Sequence, residues 1–302
     1  MNNKKSSTFY LTVILTIMTI FPILAQEIRE SNIIESHKIS SENQEYLIKI
    51  TFPPNYDNKK SYNVLYYLDA WFISDIVTGS YNVLNRCEYT EDIVLIGISI
   101  EGNEFDFNKQ RVMDFTPTKY KLSEKHKAFV SKGNSFIVKS GAGENAVPRN
   151  SETTGGADNF IEFLSGKLLP FVEKEYSNLN KRKGLLGHSL GALFGTYLIQ
   201  KKPNLIDDYI LISGPLDWNE NEILNEELFN EFKKSSEFHQ LFLSYGKSEI
   251  QRTTESNEKL NTIIESLNKN NFNYTLKAYE EANHHSILSR AIYDGLLFTY
   301  KK

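Results

Sequence analysis

The chain has 302 residues, of which 40% are hydrophobic and 13% aromatic, so it carries enough apolar side chains for a substantial core. Its formal net charge of −4 argues against nucleic acid as a partner, because nucleic-acid-binding surfaces need a marked excess of basic residues. The single cysteine, Cys87, excludes an intrachain disulfide and any multi-thiolate metal site, and a lone cysteine here is expected to be a small buried residue.

The N-terminus has the order of residues found in an export signal. Lys4 and Lys5 precede a long uncharged apolar stretch, which ends at Ala25 before the first acidic residue. We therefore expect a signal peptide over residues 1–25 and one domain over residues 26–302. The mature protein would be secreted or periplasmic, without membrane attachment. An uncleaved membrane anchor is the alternative, because the residue two before Ala25 is larger than the small residue preferred there.

Short apolar segments alternate with longer amphipathic segments along the rest of the chain. Strands are predicted at residues 33–39, 45–52, 64–68, 93–98, 182–186, 209–213, 241–245 and 274–279. Helices are predicted at residues 71–84, 156–176, 190–201, 221–234, 255–270 and 286–299. This alternation predicts an α/β fold, with a mostly parallel central sheet and helices on both of its faces. Active sites in such folds lie at the carboxyl ends of the strands.

One long polar stretch, residues 101–155, interrupts the alternation and is weakly periodic, which is typical of a functional or mobile loop. Residues 109–149 within it carry nine basic and three acidic side chains, although the chain as a whole is acidic. If this segment folds over the active site, its positive field would favour an anionic substrate.

The segment Gly187–Gly191 reads Gly-His-Ser-Leu-Gly, which is the G-x-S-x-G pattern of a nucleophile elbow. The pattern lies between a predicted strand and a predicted helix, where such an elbow must occur. The flanking glycines permit a sharp turn that exposes the Ser189 hydroxyl. The backbone N–H of Leu190, at the start of the helix, is a candidate oxyanion donor. The alternative is that Ser189 simply caps the helix.

A nucleophilic serine needs a histidine as base and usually a carboxylate that orients it. His284 and His285 follow the last predicted strand, and of the two His284 is the preferred base. His37, His126 and His239 are expected at the surface, and His188 is too close along the chain to face Ser189 squarely.

The orienting carboxylate should lie between the serine and the histidine, as in the α/β-hydrolase order. Glu249, which follows the predicted strand 241–245, is the preferred acid. Asp217 is its rival, and a Ser-His dyad without a fixed acid is the third possibility.

Taken together, these motifs resemble the esterase D type of esterases within the α/β-hydrolase fold. The resemblance spans nearly all of the mature chain and rests on seven segments in the family's order: VLYYLDAWF, RVMDFTPT, GGADNFIEFLSGKLLPFVEKEY, GLLGHSLGALFG, LISGPLDW, LSYGKSE and EANHHS. It implies the triad Ser189, Glu249 and His284. It also implies a second oxyanion donor after LYYLD, which is the backbone N–H of Ala70 or Trp71.

Members of this family include ferric-siderophore esterases, feruloyl-type esterases and mycolyl acyltransferases. The resemblance therefore implies a serine esterase that needs no metal or organic cofactor and acts on a small-molecule ester. The candidates for contacting that ester are Arg111, Trp71, Phe72, His188 and His285. The alternatives are that Arg111 pairs with Asp114 one helical turn away, and that Trp71 and Phe72 belong to the core.

Within this class, a siderophore esterase is the leading hypothesis. An esterase of acylated carbohydrates and an acyltransferase are the alternatives, since both would also form an acyl-enzyme. A non-catalytic binding protein on a hydrolase scaffold is the alternative from a different class, because a fold does not by itself determine a function.

Overall fold

The elements were located in a computed structural model, which describes residues 32–42, 44–122, 127, 139–140 and 143–302. The strands are β1 (Ile34–Ser40), β2 (Glu45–Thr51), β3 (Asn63–Tyr67), β4 (Ile93–Ser99), β5 (Lys139–Ser140), β6 (Val147–Pro148), β7 (Lys183–His188), β8 (Asp208–Ile212), β9 (His239–Gly246) and β10 (Phe272–Tyr279). The helices are α1 (Ala70–Arg86), α2 (Glu104–Asp114), α3 (Ala157–Phe163), α4 (Leu169–Glu175), α5 (Leu190–Lys201), α6 (Trp218–Asn221), α7 (Asn230–Lys234), α8 (Gln251–Ser266) and α9 (Leu288–Tyr300). The predicted signal peptide, residues 1–25, lies outside the described residues.

Eight of these strands form one sheet in the order β1-β2-β4-β3-β7-β8-β9-β10. The hairpin β1-β2 is antiparallel, and β2 also runs antiparallel to β4. Every other neighbouring pair in this sheet is parallel. The parallel strands place their carboxyl ends at one edge, so the loops and helix starts that follow β3, β7, β8, β9 and β10 are gathered there.

The two faces of the sheet are covered by different helices. On one face, the buried stripe Ile73, Val77, Tyr81 and Leu84 of α1 packs with apolar residues of α9. On the other face α5 is surrounded by apolar side chains, and all of its residues from Leu190 to Gln200 are buried. The predicted α/β fold with helices on both faces is therefore confirmed. Within the described part of the chain, no helix has the length and apolar character needed to cross a bilayer.

The stretch predicted to be irregular contains a well-formed helix, α2. It begins with a capping box, in which the Asn103 side chain accepts hydrogen bonds from the N–H groups of Phe105 and Asp106, while the Asp106 carboxylate accepts one from Asn103. The polar composition of α2 hides its periodicity, although this start signal is present in the sequence. A helix predicted over residues 156–176 is interrupted by a π-helical turn at Leu164–Leu168, between α3 and α4.

Two predictions about single residues are wrong. Cys87 is exposed, because it lies just beyond the end of α1 rather than inside its packed stripe. His239 is buried at the start of β9 between neighbouring strands, where its Nδ1 lies 3.2 Å from the carbonyl oxygen of Asp207. His37 is partly exposed, and His126 lies outside the described residues.

Candidate active site

Ser189 lies between β7 and α5, at the carboxyl edge of the sheet. Its backbone has a positive φ of 57° with ψ of −119°, a strained conformation for a residue with a side chain. Its N–H donates to the carbonyl oxygen of Ile212, which anchors the turn to the end of the neighbouring strand. The Ser189 hydroxyl makes no capping hydrogen bond to α5, so it does not act as an ordinary helix cap. The elbow thus presents the hydroxyl above the sheet.

The sharpness of this elbow depends on Gly187. A Cβ atom at this position would overlap the carbonyl oxygen of Gly191 in the first turn of α5. We expect Gly187→Ala to lower the free energy of unfolding by about 2–3 kcal/mol, since backbone atoms of the elbow must move to admit the methyl group.

Gly79, in the middle of α1, provides the matched control. A Cβ there would have no atom within 4 Å, so Gly79→Ala should raise the free energy of unfolding by about 0.5–1 kcal/mol. Urea denaturation of the two variants measures both effects. Equal stability of Gly187→Ala and the wild type would contradict the tight elbow.

Ser189, His284 and Glu249 are connected by hydrogen bonds. His284 Nε2 lies 2.9 Å from the Ser189 hydroxyl oxygen, and His284 Nδ1 lies 2.8 Å from Glu249 Oε2. A carboxylate can only accept, so Nδ1 carries the proton and Nε2 is left free to accept the serine proton. This is the arrangement of a nucleophile, a general base and an orienting acid.

The Glu249 carboxylate is held at both of its oxygens. While Oε2 accepts from His284, Oε1 accepts from the Ser213 hydroxyl at 2.6 Å and from the Gly246 N–H at 2.9 Å. Its side chain is 1% exposed. Burial alone would raise the pKa of Glu249, but the hydrogen bonds from His284, Ser213 and Gly246 outweigh burial and lower it. Glu249 is therefore ionised at neutral pH, as an orienting acid must be.

Asp217, the rival acid, has a different partner. Its carboxylate lies 3.4 Å from Arg252 Nε and faces a cleft beside the triad. The geometry therefore favours Glu249 over Asp217 and over a dyad without an acid.

His188 holds the loop that carries His284. Its Nε2 lies 2.8 Å from the carbonyl oxygen of His284, and because a carbonyl only accepts, Nε2 must be the protonated nitrogen. Burial and the neighbouring His284 lower the pKa of His188 well below its usual range, so the ring is neutral at neutral pH. His285 packs edge-on to both His284 and Phe72 and faces the same cleft.

Two helix starts meet beside Ser189. Asp69 precedes α1 and Ser189 precedes α5, and both residues have a φ of 57°. The helices follow the adjacent parallel strands β3 and β7, and a Cβ placed at Gly191 would lie 3.7 Å from Asp69 Oδ2. The N–H groups in the first turn of a helix have no acceptor within that helix. The N–H of Leu190 and that of Ala70 or Trp71 are therefore available to a developing oxyanion.

Arg111 projects from α2 towards these helix starts. Its Nε and Nη2 donate to Asp69 Oδ1 and Oδ2, each at 2.8 Å. Arg111 thus pairs with Asp69 and not with Asp114. The Asp114 carboxylate instead accepts from Tyr46 and Gln110, and burial raises the pKa of Asp114 to about 7.

The side chains predicted to contact substrate line one cleft of about 380 Å³ that ends at Ser189 and His284. Trp71 and Phe72 are each 49% exposed at its mouth, so they are not core residues. The structure places five predicted contact residues in the lining of this cleft: Trp71, Phe72, Arg111, His188 and His285.

A second cleft, of about 690 Å³, also has Ser189 and His284 in its lining. Arg149 lines both clefts. Its Nε donates to the Ser140 hydroxyl at 2.7 Å, and its guanidinium lies 5.5 Å from the centre of the Trp218 ring. Among the described residues no carboxylate forms an ion pair with Arg149. In the sequence Arg149 is one of nine basic residues between positions 109 and 149, and no local motif distinguishes it from the others.

The fold and this arrangement of residues define the class: the protein is an α/β-hydrolase. A family model described as "Putative esterase" matches residues 39–284, so the chain belongs to that family and is a carboxylic ester hydrolase. In the part of the chain described by the structure, no group of three or more His, Cys, Asp or Glu side chains is placed to bind a metal ion.

Curated relatives and solved structures agree with this assignment. The chain is 28% identical over 233 residues to the ferri-bacillibactin esterase BesA of Bacillus subtilis, which covers 75% of this chain and 74% of the relative. It is 25% identical over 286 residues to the siderophore enterobactin esterase of Emericella nidulans, with 84% and 88% covered. The BES protein from Bacillus cereus shares the fold with a TM-score of 0.74 at 22% identity, over 91% of this chain and 98% of that one.

Proposed function

We propose that this esterase hydrolyses anionic esters of the ferric-siderophore type through an acyl-enzyme on Ser189. The observation that carries the substrate class is Arg149, a guanidinium without an ion-pair partner among the described residues, at the junction of the two clefts. Two relatives are named as esterases of siderophores, which supports the same class. If the signal peptide predicted over residues 1–25 is cleaved, the reaction takes place outside the cytoplasm.

In the first half of the proposed reaction, the Ser189 hydroxyl attacks the ester carbonyl while His284 Nε2 takes its proton. The negative charge that develops on the carbonyl oxygen is stabilised by the N–H of Leu190 and by that of Ala70 or Trp71. Glu249 stabilises the imidazolium that forms. The C–O bond then breaks, and His284 returns the proton to the leaving alcohol.

In the second half, a water molecule takes the place of the alcohol. His284 removes a proton from this water as it attacks the acyl group on Ser189. The intermediate collapses, and the bond to the Ser189 oxygen breaks as that oxygen regains its proton from His284. The products are a free carboxylic acid and regenerated Ser189, so no cofactor is consumed.

The proposal is tested by comparing a ferric trilactone siderophore with a neutral aryl ester as substrates. We expect turnover of both by the wild-type protein and of neither by Ser189→Ala, with released acid as the readout. Turnover of the aryl ester alone would keep the serine mechanism and redirect the search to acylated carbohydrates. Release of the phenol together with a new ester, and no free acid, only when an alcohol acceptor is added would identify an acyltransferase.

The role of Arg149 gives a separate prediction. Arg149→Met should raise KM for the ferric siderophore by about 10-fold or more, since a hydrogen bond to a charged group contributes about 1.5–3 kcal/mol. KM for the neutral aryl ester should stay within about twofold of the wild-type value, because that substrate offers no charge to lose.

The matched control for Arg149→Met is Lys201→Met, which removes a charge at the far end of α5. Lys201 lies about 16 Å along the helix from its start beside Ser189. Its KM values for both substrates should equal those of the wild type. Equal increases in KM for both substrates in Arg149→Met would contradict a role in anion recognition.

A further inference from the structure

The ion pair between Arg111 and Asp69 is buried, although it lies next to the active site. The Asp69 side chain is 1% exposed and that of Arg111 is 14% exposed. Both carboxylate oxygens are used in a two-point contact, the strongest geometry open to an arginine and a carboxylate. The Arg111 guanidinium also lies 5.8 Å from the centre of the Phe107 ring and 5.9 Å from that of Phe115, which fixes its position against α2.

Asp69 occupies the position from which an aspartate ordinarily caps a helix. A capping carboxylate accepts hydrogen bonds from N–H groups in the first turn. The Asp69 side chain makes no such bond, and only its backbone carbonyl accepts, from the N–H groups of Phe72 and Ile73. The Asp69 carboxylate instead accepts a hydrogen bond from Arg111 at each oxygen and makes none to the N–H groups of α1.

We propose that Arg111 is a positioning residue of the oxyanion hole, which keeps the Asp69 carboxylate away from the N–H donors of α1 and neutralises its charge beside the developing oxyanion. This inference rests on the proposed attack by Ser189. Without Arg111, an unpaired buried carboxylate would compete for the same donors. It would also repel the negative charge of the transition state.

A neutral aryl ester tests this role, because it offers no charge that Arg111 could bind directly. We expect Arg111→Met to lower kcat by about 10²–10³-fold, the loss typical of one oxyanion donor, with KM within about threefold of the wild-type value. Arg111→Lys keeps the charge but loses the two-point contact, so its kcat should lie between those of Arg111→Met and the wild type.

The double variant Asp69→Asn/Arg111→Met distinguishes control of the carboxylate from a general loss of structure. Removing the negative charge along with its partner should restore kcat at least about tenfold above that of Arg111→Met. Affinity for phenylboronic acid, which forms a tetrahedral anionic adduct with an active serine, should fall and recover in parallel with kcat. Thermal unfolding of each variant shows whether it is folded under the assay conditions.

Three outcomes would overturn the proposal. A kcat for Arg111→Met within threefold of wild type would show that the donors do not depend on Arg111. A rise in KM with unchanged kcat would show that Arg111 contacts substrate directly. A double variant no more active than Arg111→Met would show that the Asp69 charge is not the cause. By contrast, an unimpaired Ser189→Ala would refute the serine mechanism itself, whatever the Arg111 variants do.

Discussion

Replacing Ser189 with alanine is expected to lower kcat for a neutral aryl ester by about 10⁶-fold, because the triad acts as a unit and loses nearly all of its effect with any essential member. KM should change little, since the serine oxygen contributes mainly to the transition state. Steady-state kinetics with purified protein measures the loss. A residual rate above the uncatalysed reaction is expected from the oxyanion donors and the binding cleft.

The control for this variant is Ser266→Ala, which removes a hydroxyl at the C-terminal end of α8. It should leave kcat unchanged and so exclude effects of handling or of contaminating esterases. A loss of less than tenfold in Ser189→Ala would contradict its assignment as the nucleophile. His284→Ala should approach the loss seen for Ser189→Ala, because an unassisted serine hydroxyl is a poor nucleophile at neutral pH.

The second large effect is expected for Glu249→Gln, which should lower kcat by about 10⁴-fold. The Ser213 hydroxyl and the Gly246 N–H both donate to Oε1, so they would hold the glutamine carbonyl oxygen at that position. The glutamine NH₂ group would then face His284 Nδ1 and force that nitrogen to accept. The imidazole proton would move to Nε2, where it blocks removal of the Ser189 proton.

The matched control for Glu249→Gln is Asp217→Asn, the same chemical change in the rival acid. Asp217 contacts Arg252 and not His284, so the variant should keep kcat within about threefold of wild type. Both substitutions keep the number of heavy atoms and replace one carboxylate oxygen with an amide nitrogen. A large loss in Asp217→Asn with an active Glu249→Gln would reverse the assignment of the acid.

The elements of the sheet were predictable because buried parallel strands are short apolar runs between amphipathic helices. The elbow, the order of the triad residues and the preference for His284 over His285 also follow from local patterns, and the fold brings these residues together. Each of these features depends on residues close in sequence or on the order of motifs along the chain.

The contacts that the sequence did not reveal are those made between distant segments. Arg111 has an acidic neighbour one helical turn away, so pairing with Asp114 was the expected alternative. Its observed partner, Asp69, lies 42 residues earlier in the chain. Only the adjacency of β3 and β4 brings α2 against the start of α1. For the same reason, the burial of His239 at the start of β9, a strand that lies between β8 and β10, could not be predicted from the polar residues around it in the sequence.

The burial of α5 on all sides has a consequence for how the enzyme can adapt. A helix packed on every face belongs to the part of a protein that opens only on global unfolding, so its amide hydrogens should exchange most slowly. Ser189 is attached to that rigid part, whereas Trp71 and Phe72 are exposed at the cleft mouth. Substitutions around the cleft mouth can therefore change the substrate range without displacing Ser189. Evolution can alter substrate recognition in this way while the position of the nucleophile is kept.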